Sequence, residues 1–119
     1  MSASVSPDHP YSPAFRAGDT VYVSGALSVD RDYRPVPGRD DALDAAVERM
    51  TERLATVGAD LRDVVKVTYY VTDVTLREEA NRQFERIFAQ PRPARTFLAV
   101  SALPYGATVE IDAIAHSPG

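Results

Sequence analysis

Val64-Val-Lys-Val-Thr-Tyr-Tyr-Val-Thr72 is the stretch whose reading decides the fold. It is β-branched or aromatic almost throughout, with apolar side chains at both odd and even positions, and so reads as a central strand covered on both faces. Close behind it, Thr75-Leu-Arg-Glu78 has capping-box spacing, in which the hydroxyl and the carboxylate each satisfy an orphan backbone N–H. The helix opened there carries Leu76, Ala80, Phe84, Ile87 and Phe88 on one side and stops before Pro91.

Upstream of the strand, Leu43, Val47, Met50, Leu54 and Val57 form one apolar stripe with 4-3-4-3 spacing, which predicts an α-helix. Asp40 or Asp41 is placed to cap it, and Gly58 to end it in a left-handed conformation. Asp44, Glu48, Arg49, Glu52 and Arg53 on the opposite side read as a solvated face. Further back, Thr20–Ser24 alternates as a strand after a Gly18-Asp19 turn, and Asp30–Gly38 is a loop punctuated by Pro35 and Pro37. Residues 1–10 read as a loose arm. Downstream, residues 93–100 and 107–115 read as the last two strands, and the short Leu103-Pro-Tyr-Gly106 turn between them predicts an antiparallel pair. The expected fold is a single α+β domain spanning residues 1–119: a mixed sheet of about six strands with two helices packed on one face. Tyr22, Tyr69 or Tyr70, Phe97 and Ile114 make the second face partly apolar, and 119 residues leave nothing to cover it, so a homo-oligomer is expected.

Composition narrows the function. The formal net charge of -4 provides no basic field for nucleic acid or anionic lipid. No apolar run reaches the ~18 residues of a membrane span, and the N-terminus lacks a charged start and apolar stretch. The chain is therefore expected to be soluble and cytoplasmic. The absence of cysteine removes disulfides, thiolate nucleophiles and Cys-ligated metal. His9 and His116 have no spaced partners, so no metal site is expected, and Lys66 is the only candidate for Schiff-base chemistry.

Strand periodicity puts Arg95, Phe97 and Ala99 on one face, and Glu110, Asp112 and Ile114 on one face of the final strand, away from the helix-directed Val109, Ile111 and Ala113. Arg95 and Glu110 are then expected together on the second face. They either pair with each other, across strands or subunits, or serve as a carboxylate-binding arginine and a water-positioning glutamate. Asn81, at the edge of the second helix's stripe, and Ser24, at a strand end before Gly25, are weaker candidates whose simplest roles are a helix-surface amide and a turn hydroxyl.

Taken in order, Tyr11–Asp19, Val21-Tyr-Val-Ser-Gly25, Val64–Thr68, Val71-Thr-Asp73, Pro93-Ala-Arg-Thr96 and Leu103–Ala115 resemble the RidA/YjgF family of reactive intermediate deaminases. The resemblance covers about residues 10–115. It implies a chorismate-mutase-like fold, a homotrimer with clefts between subunits, and hydrolysis of 2-imino acids of the 2-iminopropanoate/2-iminobutanoate type, formed from enamines, to 2-oxo acids and ammonia without metal or organic cofactor. Carried over by position, Arg95 binds the substrate carboxylate and Glu110 orients water. Tyr11, Ser24 and Asn81 line the pocket, and the Phe97 backbone meets the imino group. The pattern departs at Pro13, at Ala26, where glutamine is common, and at Phe97, where many members have cysteine. Ala26 and Phe97 motivate one alternative, a pathway-specific enzyme for an aminomuconate-like or biosynthetic intermediate; another is a non-catalytic trimer that uses Arg95 only to hold carboxylate metabolites. The acidic charge and lack of a histidine pair give no support for RNA cleavage.

Overall fold

A computed structural model describes residues 9–119, so residues 1–8 of the expected arm lie outside the described residues. The chain runs β1 (Ala14–Ala17), β2 (Thr20–Leu27), α1 (Arg39–Ala55), β3 (Val64–Val71), α2 (Arg77–Ile87), β4 (Ala94–Ala99) and β5 (Val109–His116). The five described strands form one mixed sheet in the order β1-β2-β5-β3-β4, where about six strands were expected.

The expected β4–β5 hairpin does not form. β4 lies parallel to β3 at the sheet edge, and β5 inserts antiparallel between β3 and β2. A helix between two strands returns the chain to its starting end, so β3 and β4 become parallel neighbours despite the short turn that follows. That turn arches over the end of β3, where the Val100 N–H donates to Val71 O at 2.8 Å and the Thr72 N–H to Thr108 O at 3.1 Å. β2–α1–β3 is a second parallel crossover, with β5 filling the gap. Crossovers of one hand that advance in one direction place both helices on one face.

That face holds the core. Leu43, Met50 and Leu54 of α1 are fully buried with Val21, Val67, Tyr69 and Ile111 of the sheet, each large apolar side chain contributing about 1.5–3 kcal/mol. The helix ends differ from expectation. Gly38 precedes α1 without a side-chain cap, and Asp40 and Asp41 lie inside the first turn, where they interact favourably with the helix dipole. Gly58 takes the expected left-handed conformation, φ 78°. The Thr75–Glu78 box is absent because Asp73 captures the threonine, accepting from Thr75 N at 2.9 Å and Thr75 Oγ1 at 2.7 Å to open a 3₁₀ turn ahead of α2. Asp60 and Asp63 form a reciprocal box instead.

The other sheet face is open. Phe15 pairs with Tyr22 and Tyr22 with Ile114, an apolar row with exposures of 62%, 50% and 36%. Tyr70 shares this face, whereas Tyr69 and Phe97 turn toward the helices. The second apolar face is therefore present and carries Tyr22, Tyr70 and Ile114 as expected, with Phe15 added and Phe97 absent from it.

Where β2 ends, Ser28 is fully buried and grips β5 twice: its N–H donates to Val109 O at 2.9 Å, and its Oγ accepts from Val109 N at 3.1 Å. Ser28→Ala leaves that N–H unpaired, and chemical denaturation is expected to show a loss of about 1–3 kcal/mol with an unchanged m-value.

Candidate functional site

The sequence candidates separate into two clusters. The first is built on β4 and α2. In the parallel register Arg95 pairs with Val67 and Phe97 with Tyr69, so both inherit the helix-facing side of β3. Periodicity grouped Arg95 with Phe97 correctly, but the group lies on the opposite face from Glu110, because its strand neighbour is β3 rather than β5. Asn81 reaches across from α2, and its Oδ1 accepts from Arg95 Nη2 at 2.6 Å. The Arg95 guanidinium carbon lies 5.5, 5.3 and 5.5 Å from the ring centres of Tyr69, Phe84 and Phe97. Such contacts contribute about 0.5–2 kcal/mol each, more as water is excluded.

No carboxylate pairs with Arg95 among the described residues; the ion pairs there use Arg39, Arg62, Arg82 and Arg86. Burial draws its pKa below the usual arginine value, which marks a partly desolvated cation. A planar guanidinium with only a neutral amide partner is suited to take a carboxylate through two parallel N–H bonds. Within one copy, the pairing of Arg95 with Glu110 does not occur.

The second cluster is on the open face, where Glu110 lies opposite Leu27 on β2 and Tyr70 on β3. Its carboxyl group rests over Gly25: a Cβ built there falls 2.7 Å from Glu110 Cδ. Burial, followed by the charge of nearby Asp112, pushes the Glu110 pKa above the ordinary value. Asp112 is held by the Tyr70 hydroxyl, which donates to its Oδ2 at 2.8 Å. Glu110 has no hydrogen-bond partner among the described residues. Next to Gly25, Ser24 donates from Oγ to Ser12 O at 2.6 Å and from N to Pro13 O at 3.0 Å, which holds the 11–13 segment beside the strand. Tyr11, half-exposed, stacks on His9 at 4.8 Å between ring centres.

Tyr11, Ser24 and Glu110 therefore belong to one half, and Asn81, Arg95 and Phe97 to the other. Three contributors escaped sequence reasoning. Gly25 was visible only as the residue after Ser24. The roles of Tyr69 and Phe84 as walls around Arg95 depend on the β3–β4 register, which carries no local signal.

Comparison with known proteins identifies the family. Residues 1–117 match the family model described as Endoribonuclease L-PSP. The RutC family protein y4sK of Sinorhizobium fredii is 37% identical over 111 residues, covering 88% of this chain and 85% of that protein. The 2-iminobutanoate/2-iminopropanoate deaminase of Homo sapiens is 33% identical over 108 residues, covering 89% and 79%. RidA from an Antarctic Psychrobacter superposes with a TM-score of 0.84 at 32% identity, over 95% of this chain and 93% of its own. The chain belongs to the RidA/YjgF family.

The electrostatics of Glu110 can be checked directly. Its carboxyl ¹³C resonance is expected to titrate above the ordinary glutamate range. Asp112→Asn, which removes the neighbouring charge yet still accepts from Tyr70, is expected to lower the midpoint; an ordinary midpoint in both proteins would contradict the stated causes.

Proposed function

We propose that this protein is a hydrolytic deaminase of reactive enamine/imine intermediates, acting on 2-imino acids of the 2-iminopropanoate/2-iminobutanoate type to give 2-oxo acid and ammonia. The observation that carries the reading is Arg95: a partly buried guanidinium walled by three rings, held by one amide and paired with no carboxylate among the described residues. The deaminases of human and bovine origin, 33% and 36% identical to this chain, support the same class.

Arg95 holds the substrate carboxylate and so fixes the position of the adjacent C=N carbon. An imine is already electrophilic, and orientation supplies most of what the addition needs. Glu110, as carboxylate, takes a proton from water while the oxygen bonds to the imine carbon and the C=N π pair moves to nitrogen, to which Glu110 returns that proton. The resulting carbinolamine collapses: its hydroxyl proton passes by way of Glu110 to nitrogen, the C–N bond breaks, the C=O bond forms and ammonia leaves. A pKa raised by burial makes Glu110 a stronger proton acceptor than an ordinary glutamate. Because the accepting form is the carboxylate, activity falls as pH drops through this raised value.

The two halves are brought together by a second copy. Arg95 and Glu110 stand on opposite faces of the sheet with β3 between their strands, so no small substrate spans them within one chain. Among the described residues β4 is an edge strand, with one side of its backbone free of a strand neighbour, and the Phe15–Tyr22–Ile114 row is uncovered. A homotrimer in which one copy's edge meets the next copy's open face covers that row and places Arg95 and the Phe97 backbone beside Glu110, Ser24 and Tyr11. No metal or organic cofactor is assigned a role.

The test is ammonia release from freshly generated 2-iminopropanoate. Wild type is expected to accelerate it. Arg95→Ala is expected to lose about 2–5 kcal/mol of transition-state stabilisation, since the substrate charge is left unpaired. Wild-type protein that binds 2-oxo acids without turnover would favour the non-catalytic reading.

A further inference from the structure

Behind the Arg95 cluster runs a hydrogen-bonded chain that joins the sheet to both helices. Tyr69 is fully buried at the centre of the sheet, and burial pushes its hydroxyl pKa upward, so the group remains a donor. It donates to Gln83 Oε1 at 2.9 Å. Gln83, 3% exposed, donates from Nε2 to Asp44 Oδ1 at 2.8 Å, and the same oxygen accepts from Arg86 Nη2 at 3.0 Å. Asp44 is solvated, on the outer side of α1. Paired with the Arg86 cation, this carboxylate serves as acceptor, which sets the Gln83 amide with its NH₂ outward and its oxygen inward to Tyr69.

We propose that Gln83 and Asp44 are positioning residues for the carboxylate site: they lock the Tyr69 ring, and with it the orientation of the Arg95 guanidinium. Of the three rings around Arg95, only Tyr69 carries a polar handle, and Phe84 and Phe97 both pack against it, at 6.3 and 6.0 Å between centres. Among the described residues Arg95 makes a single hydrogen bond, to Asn81, and the ring walls supply the rest of its orientation. Asn81 is two residues before Gln83 on α2, and the Gln83–Asp44 bond ties that helix to α1. A buried network with every member satisfied restricts a site to one geometry, and loosening it widens the distribution of donor positions.

The proposal rests on the deaminase reading for its kinetic arm alone. Asp44→Ala removes a solvated side chain and leaves the core intact, Gln83→Met preserves volume without hydrogen bonds, and Asp40→Ala makes the same charge change elsewhere on α1. Asp44→Ala and Gln83→Met are expected to raise KM for the imino acid and the Kd for 2-oxobutanoate about three- to tenfold with kcat nearly unchanged, while Asp40→Ala moves neither. The Arg95 guanidinium NMR resonance, displaced by the ring currents of its walls, is expected to shift in the first two variants and not in the third. Unchanged KM, Kd and resonance in a folded Asp44→Ala would overturn the assignment. If wild type proves inactive on imines, the deaminase reading fails, and the resonance and the oxo-acid titration still decide the positioning role.

Discussion

The insertion of β5 between β2 and β3 is the constraint from which the rest follows. It puts Glu110 in the middle of the open face, over the one residue, Gly25, whose lack of a side chain leaves room for a carboxyl group. It also pushes β4 to the edge, where Arg95 inherits the helix-facing side from Val67 and meets Asn81. The two charges that the chemistry needs are thereby separated by the sheet and cannot neutralise each other. A guanidinium desolvated against three rings and a carboxyl group with a raised pKa are each costly alone. In the proposed assembly a carboxylate substrate would offset the cost of the guanidinium, and the neighbouring copy's cation would offset that of the carboxyl group.

The resting charge distribution fits this chemistry. Arg95 keeps an amide rather than an acid as its partner, so substrate need not displace an ion pair to bind. Glu110 is close enough to Asp112 to feel its charge, while Tyr70 keeps Asp112 in place. The chain has no cysteine, the proposed mechanism gives proton transfer to glutamate and water, and the surroundings of the cation are aromatic.

Much of this was legible in the sequence where local patterns are strong. The β3 run, the Leu43–Leu54 stripe and the Gly58 stop all emerge from side-chain periodicity and backbone sterics, which act within a few residues. What failed was non-local. The short turn at Leu103–Gly106 looked like a hairpin because turn length reports only on chain reversal, not on which strand lies alongside. That one error put Arg95 on the face of Glu110. The Thr75 box failed for a different reason: Asp73 competes for the same hydroxyl from two residues away. Asp44 was read only as part of a solvated face and Gln83 drew no reading at all, since nothing in their spacing signals that a buried tyrosine joins them.

The central claim, that the site is complete only between copies, is tested most directly by mixing subunits. Arg95→Ala and Glu110→Gln trimers are each expected to be nearly inactive on 2-imino acid. Dissociated and reassembled together, they form interfaces in which an intact Arg95 from one copy faces an intact Glu110 from another, and about one quarter of wild-type activity is expected to return. A reassembled mixture of trimers as inactive as its two parents would contradict the account.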